Sequence, residues 1–218
     1  MINEQSEFVY LHQSARTDML EFLPSEYSKV LDIGCCNGIF KQALNKSSEY
    51  WGVEPFEKAA EIAKTKIDKV LIGFYDDVAD EIPDNYFDLI IVFDVIEHME
   101  QPWIFLQSIK KKMAKNASIM LSIPNVRWID NLKELLYKKD WKYKDEGILD
   151  ITHLRFFTEK SIVRLLNENG FEIEKMKGTN SAKVRKWKLP LYYLLKFIFG
   201  SDIGFIHFGV RAKLNLKS

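Results

Sequence analysis

The chain has 218 residues and a balanced charge, with 31 Lys and Arg residues against 31 Asp and Glu residues. This balance disfavours a dedicated nucleic-acid-binding protein, which usually carries a basic excess. The apolar fraction of 47% is sufficient for one domain spanning residues 1–218. The two cysteines, Cys35 and Cys36, are adjacent and form no disulfide framework, and the first residues do not resemble a signal peptide. A reducing cytoplasm is therefore the expected setting.

Short runs rich in Val, Leu and Ile alternate with stretches of helical pattern in the first part of the chain. Strands are predicted at 29–33, 50–54, 69–73, 87–95 and 118–124, and helices at 37–46, 56–67 and 103–113. The run FDLIIVFDV is almost continuously apolar, as expected of a strand that is buried on both faces. This alternation predicts a parallel sheet covered by helices on both sides, with ligands at the carboxyl ends of its strands.

The regular alternation ends after Pro124. Residues 125–157 are rich in aromatic side chains, and we interpret them as an inserted lid or substrate segment. A further helix is predicted to begin at Thr158, a favourable N-cap residue, and to end at Gly170. Two closing strands, FEIEKMKG and HFGVRAKL, follow it, and 179–206 is predicted to form a basic and apolar helical segment between them.

The stretch VLDIGCCNGIF, residues 30–40, places an acid, two glycines and a helix start close together. A strand, a glycine turn and a helix form a general nucleotide cradle, but the G-x-G-x-x-G fingerprint of dinucleotide sites is absent. Asp32 would repel a pyrophosphate and suits a ligand with a positive group. Glu54, 22 positions later (54 − 32), can accept both hydroxyls of a ribose. A ribose with a cationic head describes S-adenosylmethionine better than NAD.

The ordered set of motifs resembles the class I S-adenosylmethionine-dependent methyltransferases. VLDIGCCNGIF is similar to their motif I, hhDhGCGxG, and GVEP, FDLIIVFDVIEHMEQP and SIPN are similar to their second, fourth and fifth motifs. The resemblance implies an α/β, Rossmann-like doubly wound fold with a seven-stranded, mostly parallel sheet. It also implies S-adenosyl-L-methionine as cofactor and S-adenosyl-L-homocysteine as product. DVIEH, SIPN and HLRFFT together resemble the branch that contains ubiquinone-type O-methyltransferases and methyltransferases of bacterial glycan synthesis.

The resemblance also implies a set of cofactor contacts. In chain order they are Asp32, Gly34, Cys36, Gly38, Glu54, Pro55, Asp76, Asp77 and Asp94. The first four belong to the methionine end, Glu54 to the ribose, and one of the paired aspartates to the adenine amino group, while Asp94 should lie by the cofactor. Cys36 occupies the family's second glycine, where a tolerated substitution is favoured over a closed, inactive site or a reactive thiol. Arg16, although near the methionine carboxylate in some relatives, is interpreted as a surface residue.

Methyl transfer from a sulfonium requires mainly in-line positioning, and a hydroxyl acceptor also benefits from a general base. His98 is the first candidate because imidazole titrates near neutrality, and Glu97 could orient it. His153 is the second candidate, and Arg155 could bind an anionic acceptor. Substrate hydrogen bonding and a structural role for His98 stay open. Asp94, Glu97 and His98 could ligate a divalent ion, but crowded carboxylates more often form caps and exposed faces, so no metal is predicted.

The sequence thus predicts a methyltransferase that acts on an oxygen of a sugar or glycan precursor, in polysaccharide biosynthesis. The alternatives are an O-methyltransferase of a small phenolic or quinone acceptor and a non-catalytic protein that binds the cofactor. No nucleic-acid partner is expected. The apolar run within 183–200 is too short to cross a membrane. It is predicted to cover the core or pair two subunits, with peripheral contact to the inner face of the membrane as the alternative.

Overall fold

The computed structural model describes residues 15–44, 47–181 and 189–215. Within these ranges the strands are β1 (Lys29–Ile33), β2 (Glu49–Glu54), β3 (Lys69–Ile72), β4 (Phe87–Phe93), β5 (Met113–Pro124), β6 (Phe171–Ser181) and β7 (Phe205–Leu214). The α-helices are α1 (Phe40–Ala43), α2 (Glu57–Ala63), α3 (Tyr75–Val78), α4 (Pro102–Ile109), α5 (Ile129–Lys133), α6 (Glu159–Glu168) and α7 (Leu189–Phe199). A 3-10 helix, Thr17–Phe22, precedes β1, and a single π-helical turn, Glu134–Lys138, extends α5.

The strands form one sheet in the order β3-β2-β1-β4-β5-β7-β6. β1 to β5 are parallel, and β7 is antiparallel to both of its neighbours. The predicted doubly wound, mostly parallel fold of seven strands is confirmed. Because β7 is antiparallel to β5, its first residues lie beside the end of β5, and Pro124 is paired with His207. We call the edge formed by the carboxyl ends of β1 to β5 and the start of β7 the site edge.

The central strand β4 separates two apolar clusters, one on each face of the sheet. Ile90 and Val92 belong to the larger cluster, whereas Leu89 and Ile91 belong to the smaller one. All four side chains are fully buried. Successive side chains of a strand point to opposite faces, so a continuous apolar run can fill both cores at once. The interpretation of FDLIIVFDV as a strand buried on both faces is therefore confirmed.

Several predicted segments have different bounds in the structure. The helix expected from residue 37 begins only at Phe40, because positive φ angles at Cys36 and Gly38 hold the preceding loop out of helical geometry. The strand expected at 118–124 begins at Met113, and α4 accordingly ends at Ile109. The helical segment predicted at 179–206 is shorter, since β6 runs to Ser181 and β7 begins at Phe205.

The predicted start of α6 is confirmed and fixes one end of the insertion. Thr158 Oγ1 accepts a hydrogen bond from the Ser161 amide at 3.2 Å, and Ser161 Oγ accepts one from the Thr158 amide at 2.9 Å. This reciprocal pair is a capping box. Just before it, Phe157 forms an isolated bridge with Asn125. The two ends of segment 125–157 therefore lie side by side, and its role as an inserted lid or substrate segment stays a prediction.

Candidate active site

A cleft of about 190 Å³ opens at the site edge, between the ends of β1 and β4. It is lined by Arg16, Asp32, Gly34, Cys35, Cys36, Ile39, Phe40, Phe93, Asp94 and Val95. We call it the β1–β4 cleft. It lies where the strand order reverses, which is the usual ligand position in doubly wound sheets. Four of the predicted cofactor contacts line it: Asp32, Gly34, Cys36 and Asp94.

The loop after β1 requires glycine at both of its predicted glycine positions. Gly34 has φ +75°, and a Cβ placed there would lie 2.5 Å from Val95 Cγ2. Gly38 has φ +71°, and a Cβ there would lie 3.3 Å from the Ala63 backbone. Positive φ is costly for residues with a side chain, and close contact with α2 and with the segment after β4 adds to that cost. The spacing that resembles motif I is therefore a backbone requirement of this loop.

Cys36 occupies a backbone position that favours glycine. Its φ is +50°, and its side chain is buried. Its amide donates a 2.8 Å hydrogen bond to Glu54 Oε2, which holds the loop against the end of β2. Burial, followed by the charge of Glu54, raises the pKa of the Cys36 thiol to about 12. The thiol is therefore protonated near neutral pH, which disfavours a nucleophilic or redox role.

Replacing Cys36 with glycine and with alanine separates the backbone strain from the side chain. Alanine keeps the unfavourable left-handed conformation, whereas glycine adopts it freely. We expect the glycine variant to have a higher free energy of unfolding than the alanine variant, by about 1 kcal/mol in denaturant titrations. Glycine should also bind S-adenosylmethionine at least as tightly as the natural protein. An alanine variant as stable as the glycine variant would show that residue 36 does not adopt this conformation in solution.

Asp32 lies at the base of the cleft and is held by a tyrosine from the neighbouring strand. Its side chain is 4% exposed, and its Oδ2 accepts a 2.6 Å hydrogen bond from the hydroxyl of Tyr50, a fully buried residue of β2. The pKa of Asp32 is raised to about 7, chiefly by burial; the hydrogen bond from the Tyr50 hydroxyl opposes the rise, and the charge of Glu54 adds to it. A cationic ligand group would favour the ionised form of this carboxyl group. The contact between Asp32 and the cationic end of the cofactor stays a prediction.

Glu54 is placed differently from the prediction. It is fully buried, and its two oxygens accept hydrogen bonds from the amides of Cys36 and Phe56, each at 2.8 Å. Both carboxylate oxygens are thus already bound by the chain itself, and the ribose contact stays a prediction. Pro55, Asp76 and Asp77 are exposed after β2 and β3, near the site edge but not among the residues lining the cleft.

Arg16 lines the cleft, and its interpretation as a surface residue was wrong. Its guanidinium donates hydrogen bonds to Asp94, to Ser122 Oγ at 2.8 Å and to Asp18 at 3.0 and 3.1 Å. Asp94 has φ +54° and also accepts a 2.7 Å hydrogen bond from Ser122 Oγ. His207 Nε2 lies 3.7 Å from the same carboxylate. The network ties the segment before β1 to the ends of β4 and β5 and places a cation beside the cleft.

His98 lies in a short 3-10 helix, Ile96–His98, that begins one residue after the cleft-lining Val95. Its Nδ1 lies 3.2 Å from the Thr152 carbonyl and 3.1 Å from Thr152 Oγ1. The Thr152 hydroxyl donates its proton to Asp150 at 2.7 Å, so both Thr152 oxygens act as acceptors towards His98. The proton of neutral His98 is thereby assigned to Nδ1, which leaves the lone pair of Nε2 available as a base. Desolvation, and then the charge of His153, lower the pKa of His98 from 6.5.

Glu97 does not orient His98, contrary to the prediction, since Thr152 makes that contact. Glu97 is 1% exposed, and neither carboxyl oxygen has a hydrogen-bond partner among the described residues. Burial, followed by the charge of Asp94, raises the pKa of Glu97 well above 4.5. The atom nearest to it from a basic group is His153 Nε2, at 3.9 Å. His153 itself is buried, with Nδ1 3.0 Å from the Ile148 carbonyl, so its position disfavours the second general-base assignment.

Glu97, His98 and His153 each place one ligand atom within 4.8 Å of the others. These atoms are of the types that bind divalent metals, and the unpartnered Glu97 carboxyl group fits such a role. These three residues are therefore the place at which the prediction that the protein binds no metal can be tested. Arg155 is turned away from this cluster: its guanidinium donates to the Glu100 carbonyl and lies 5.6 Å from the Trp103 ring centre.

The doubly wound sheet and the cleft at its reversal of strand order define a Rossmann-like, cofactor-binding enzyme domain. Residues 9–176 match the family described as "Methyltransferase domain", and the chain belongs to that family. The predicted family is thereby confirmed, together with S-adenosylmethionine as the methyl donor that it implies.

The chain is similar to enzymes named as ubiquinone biosynthesis O-methyltransferases. It is 30% identical over 129 residues to the mitochondrial enzyme of Schizosaccharomyces pombe, a match of 54% of this chain and 47% of that protein. It is 24% identical over 204 residues to the enzyme of Rickettsia canadensis, covering 86% of this chain and 84% of that protein. The chain thus spans about half the length of the first relative and most of the second. None of these names supports the predicted sugar or glycan acceptor.

Solved structures confirm the fold. A methyltransferase from Archaeoglobus fulgidus superposes with a TM-score of 0.68 at 18% identity, covering 97% of this chain and 100% of that one. A second methyltransferase structure, from Aquifex aeolicus, superposes with a TM-score of 0.60 at 15% identity, covering 96% of this chain and 98% of that one. Both are titled as S-adenosylmethionine-dependent methyltransferases.

Proposed function

We propose that this protein transfers the methyl group of S-adenosylmethionine to a hydroxyl oxygen of a small phenolic or quinol acceptor. The observation that carries the proposal is the contact of His98 Nδ1 with two acceptor oxygens of Thr152, which leaves the Nε2 lone pair of His98 available as a base. The names of the ubiquinone-type relatives support the same acceptor class.

The acidity of the acceptor favours a phenol over a sugar. A phenolic hydroxyl has a pKa of roughly 10, as in tyrosine, whereas water has a pKa of about 15.7 and sugar hydroxyls are also very weak acids. The pKa of His98 lies below 6.5. A base this weak takes a proton much more readily from a phenol, because the difference in pKa is smaller by several units.

Different residues of the chain bind the cofactor and accept the proton in the proposed reaction. S-adenosylmethionine supplies a methyl group already activated by its positive sulfur. Asp32 holds the cationic methionine end, and Arg16 can reach the carboxylate of that end from the same cleft. His98 Nε2 takes the hydroxyl proton as the acceptor oxygen bonds to the methyl carbon and the carbon–sulfur bond breaks. The products are the methyl ether, S-adenosylhomocysteine and a proton carried by His98.

The insertion supplies aromatic side chains for a ring-shaped acceptor. Phe156 contacts Trp141 with ring centres 5.3 Å apart, Tyr143 at 6.3 Å and His153 at 6.5 Å. His153 in turn packs edge-on against His98 at 4.7 Å. Aromatic groups favour such offset and edge-on contacts with other rings. A planar acceptor held by this cluster would lie beside the proposed base.

The test is an acceptor screen that measures S-adenosylhomocysteine formation by chromatography. We expect turnover with catechols or hydroquinones and none with sugar nucleotides. The Asp32→Asn variant, which should not hold the cofactor, is the control for background hydrolysis. Methylation of a sugar nucleotide alone would instead favour the glycan acceptor predicted from the sequence, and no turnover with any acceptor would contradict the proposal.

A further inference from the structure

Helix α7 presents its apolar side to the solvent. None of its residues is buried, and the exposed fractions reach 58% at Leu191, 63% at Tyr193, 53% at Leu194, 88% at Phe197 and 59% at Ile198. A surface helix of a globular protein normally turns its polar side outward. The charged residue of α7, Lys196, instead lies against the domain, with Nζ 5.5 Å from the Tyr192 and Phe205 ring centres. We call the outward surface of Leu191, Tyr193, Leu194, Phe197 and Ile198 the α7 face.

The end of α7 is fixed to the site edge by polar contacts. Arg127 donates a hydrogen bond to the Phe199 carbonyl and forms an ion pair with Asp202. Asn125 Nδ2 donates to the carbonyls of Asp202 at 2.8 Å and Phe205 at 3.0 Å. The chain then continues into β7 at the same edge that holds the cleft. The apolar helix is therefore attached at the site edge.

We infer that the α7 face docks onto a lipid bilayer that carries anionic headgroups. No described helix is long and apolar enough to cross a membrane, so the contact would be peripheral. Burial of an apolar and aromatic helix face at the headgroup boundary is the usual mode of such contacts. The docked helix would hold the site edge close to the bilayer.

The basic residues near α7 support binding to an anionic bilayer. Although the whole chain has zero formal net charge, residues 175–201 contain seven basic residues and no acidic one. Lys175 and Lys177 are paired with Glu21, and Lys196 lies against the domain. The other four, at positions 183, 185, 186 and 188, directly precede α7 and lie outside the described residues. Basic residues beside an apolar helix are attracted to anionic headgroups.

The same charge disfavours a second copy of the chain on this face. In a two-fold symmetric dimer both subunits contribute the same patch, so the interface would gather the basic residues of two copies of the chain. Like charges brought together in an interface oppose association. The sequence also predicted that this segment could pair two subunits. The experiment below therefore distinguishes a homodimer from the bilayer contact.

The experiment is co-sedimentation of the full chain with vesicles, either of phosphatidylcholine alone or of phosphatidylcholine and phosphatidylglycerol in equal amounts. The test variant carries Leu194→Ser and Phe197→Ser. Phe74→Ser is the matched control, because Phe74 is 69% exposed at another place on the surface. Since all three side chains are exposed, thermal melting should show an intact fold in each variant.

We expect the natural protein and Phe74→Ser to sediment with the anionic vesicles, and the double variant to bind them at least about tenfold more weakly. Neutral vesicles or high salt should also weaken binding. Equal binding to both kinds of vesicle, or undiminished binding by the double variant, would overturn the inference. So would a dimer of the natural protein, in sedimentation velocity, that the double variant converts to a monomer.

Discussion

Asp32→Asn is expected to weaken the binding of S-adenosylmethionine by a factor of ~100 or more. Asp32 is the buried carboxyl group at the base of the β1–β4 cleft, and asparagine has nearly its shape without the charge. A hydrogen bond between charged partners is worth roughly 1.5–3 kcal/mol, and loss of the charge in a poorly solvated site removes most of it. Isothermal titration calorimetry would measure the change in Kd.

Asp88→Asn is the matched control for this substitution. Asp88 accepts hydrogen bonds from the amides of Ser28 and Lys29 at the start of β1, on the edge of the sheet opposite to the cleft. The control should lower the free energy of unfolding without changing the Kd for the cofactor. If both variants bound as tightly as the natural protein, Asp32 would not be the cation-binding group.

The binding of S-adenosylmethionine should also depend on pH through Asp32. Its pKa is raised from 3.8 to about 7, chiefly by burial, so the carboxyl group is largely protonated below pH 7 in the free protein. A cationic ligand requires the ionised form, so affinity should fall by about tenfold per pH unit below 7. Because the folded pKa lies above the unfolded one, Asp32 stabilises the free protein below pH 3.8, and this contribution is lost as the pH rises to about 7. Asp32→Asn should remove the pH dependence of binding. If the affinity of this variant still fell with decreasing pH, the group that takes up the proton would not be Asp32.

His98→Ala is expected to lower kcat by ~100-fold or more while leaving the Kd for S-adenosylmethionine nearly unchanged. The reason is that His98 contacts the insertion through Thr152 and is not among the residues that line the cleft. Because its pKa lies below 6.5, the neutral form persists at neutral pH, and the acid limb of the kcat profile should fall below pH 6.5. Single-turnover kinetics with the best phenolic acceptor would measure the effect.

His98→Gln separates a base from a hydrogen-bonding role. Glutamine keeps an N–H group that can reach Thr152 but cannot take a proton. If His98 is the base, both variants lose activity equally, whereas recovery in the glutamine variant would mean that His98 only positions the acceptor. The same assay with a chelator tests the cluster of Glu97, His98 and His153. Activity that disappears on chelation and returns with a divalent metal would replace the base assignment with a metal site.

The fold and the centre of the cleft were predictable because each depends on patterns within short, continuous stretches of the sequence. The apolar run of β4 determines its burial on both faces, and the acid and glycines of 30–40 determine the loop geometry. Tyr50 was missed because its contact with Asp32 depends on the register between β1 and β2, which no single stretch of sequence shows.

The partners of the candidate base were less predictable. Thr152 follows His98 by 54 positions and reaches it only through the path of the insertion. Glu97 is adjacent to His98 in sequence, which suggested a contact, but the turn of the 3-10 helix directs it into the core. Arg16 resembled a surface residue because its partners, Asp94 and Ser122, come from the ends of two later strands. In each case the missing information was the arrangement of distant segments.

The most direct test of the account is calorimetric titration of the natural protein with S-adenosylmethionine and S-adenosylhomocysteine, beside Cys36→Gly. We predict micromolar binding of both ligands to one site in the natural protein, with Cys36 accommodated in its left-handed conformation. Binding by Cys36→Gly alone would mean that the cysteine closes the pocket. The absence of binding to either protein would contradict the assignment of the β1–β4 cleft as the cofactor site.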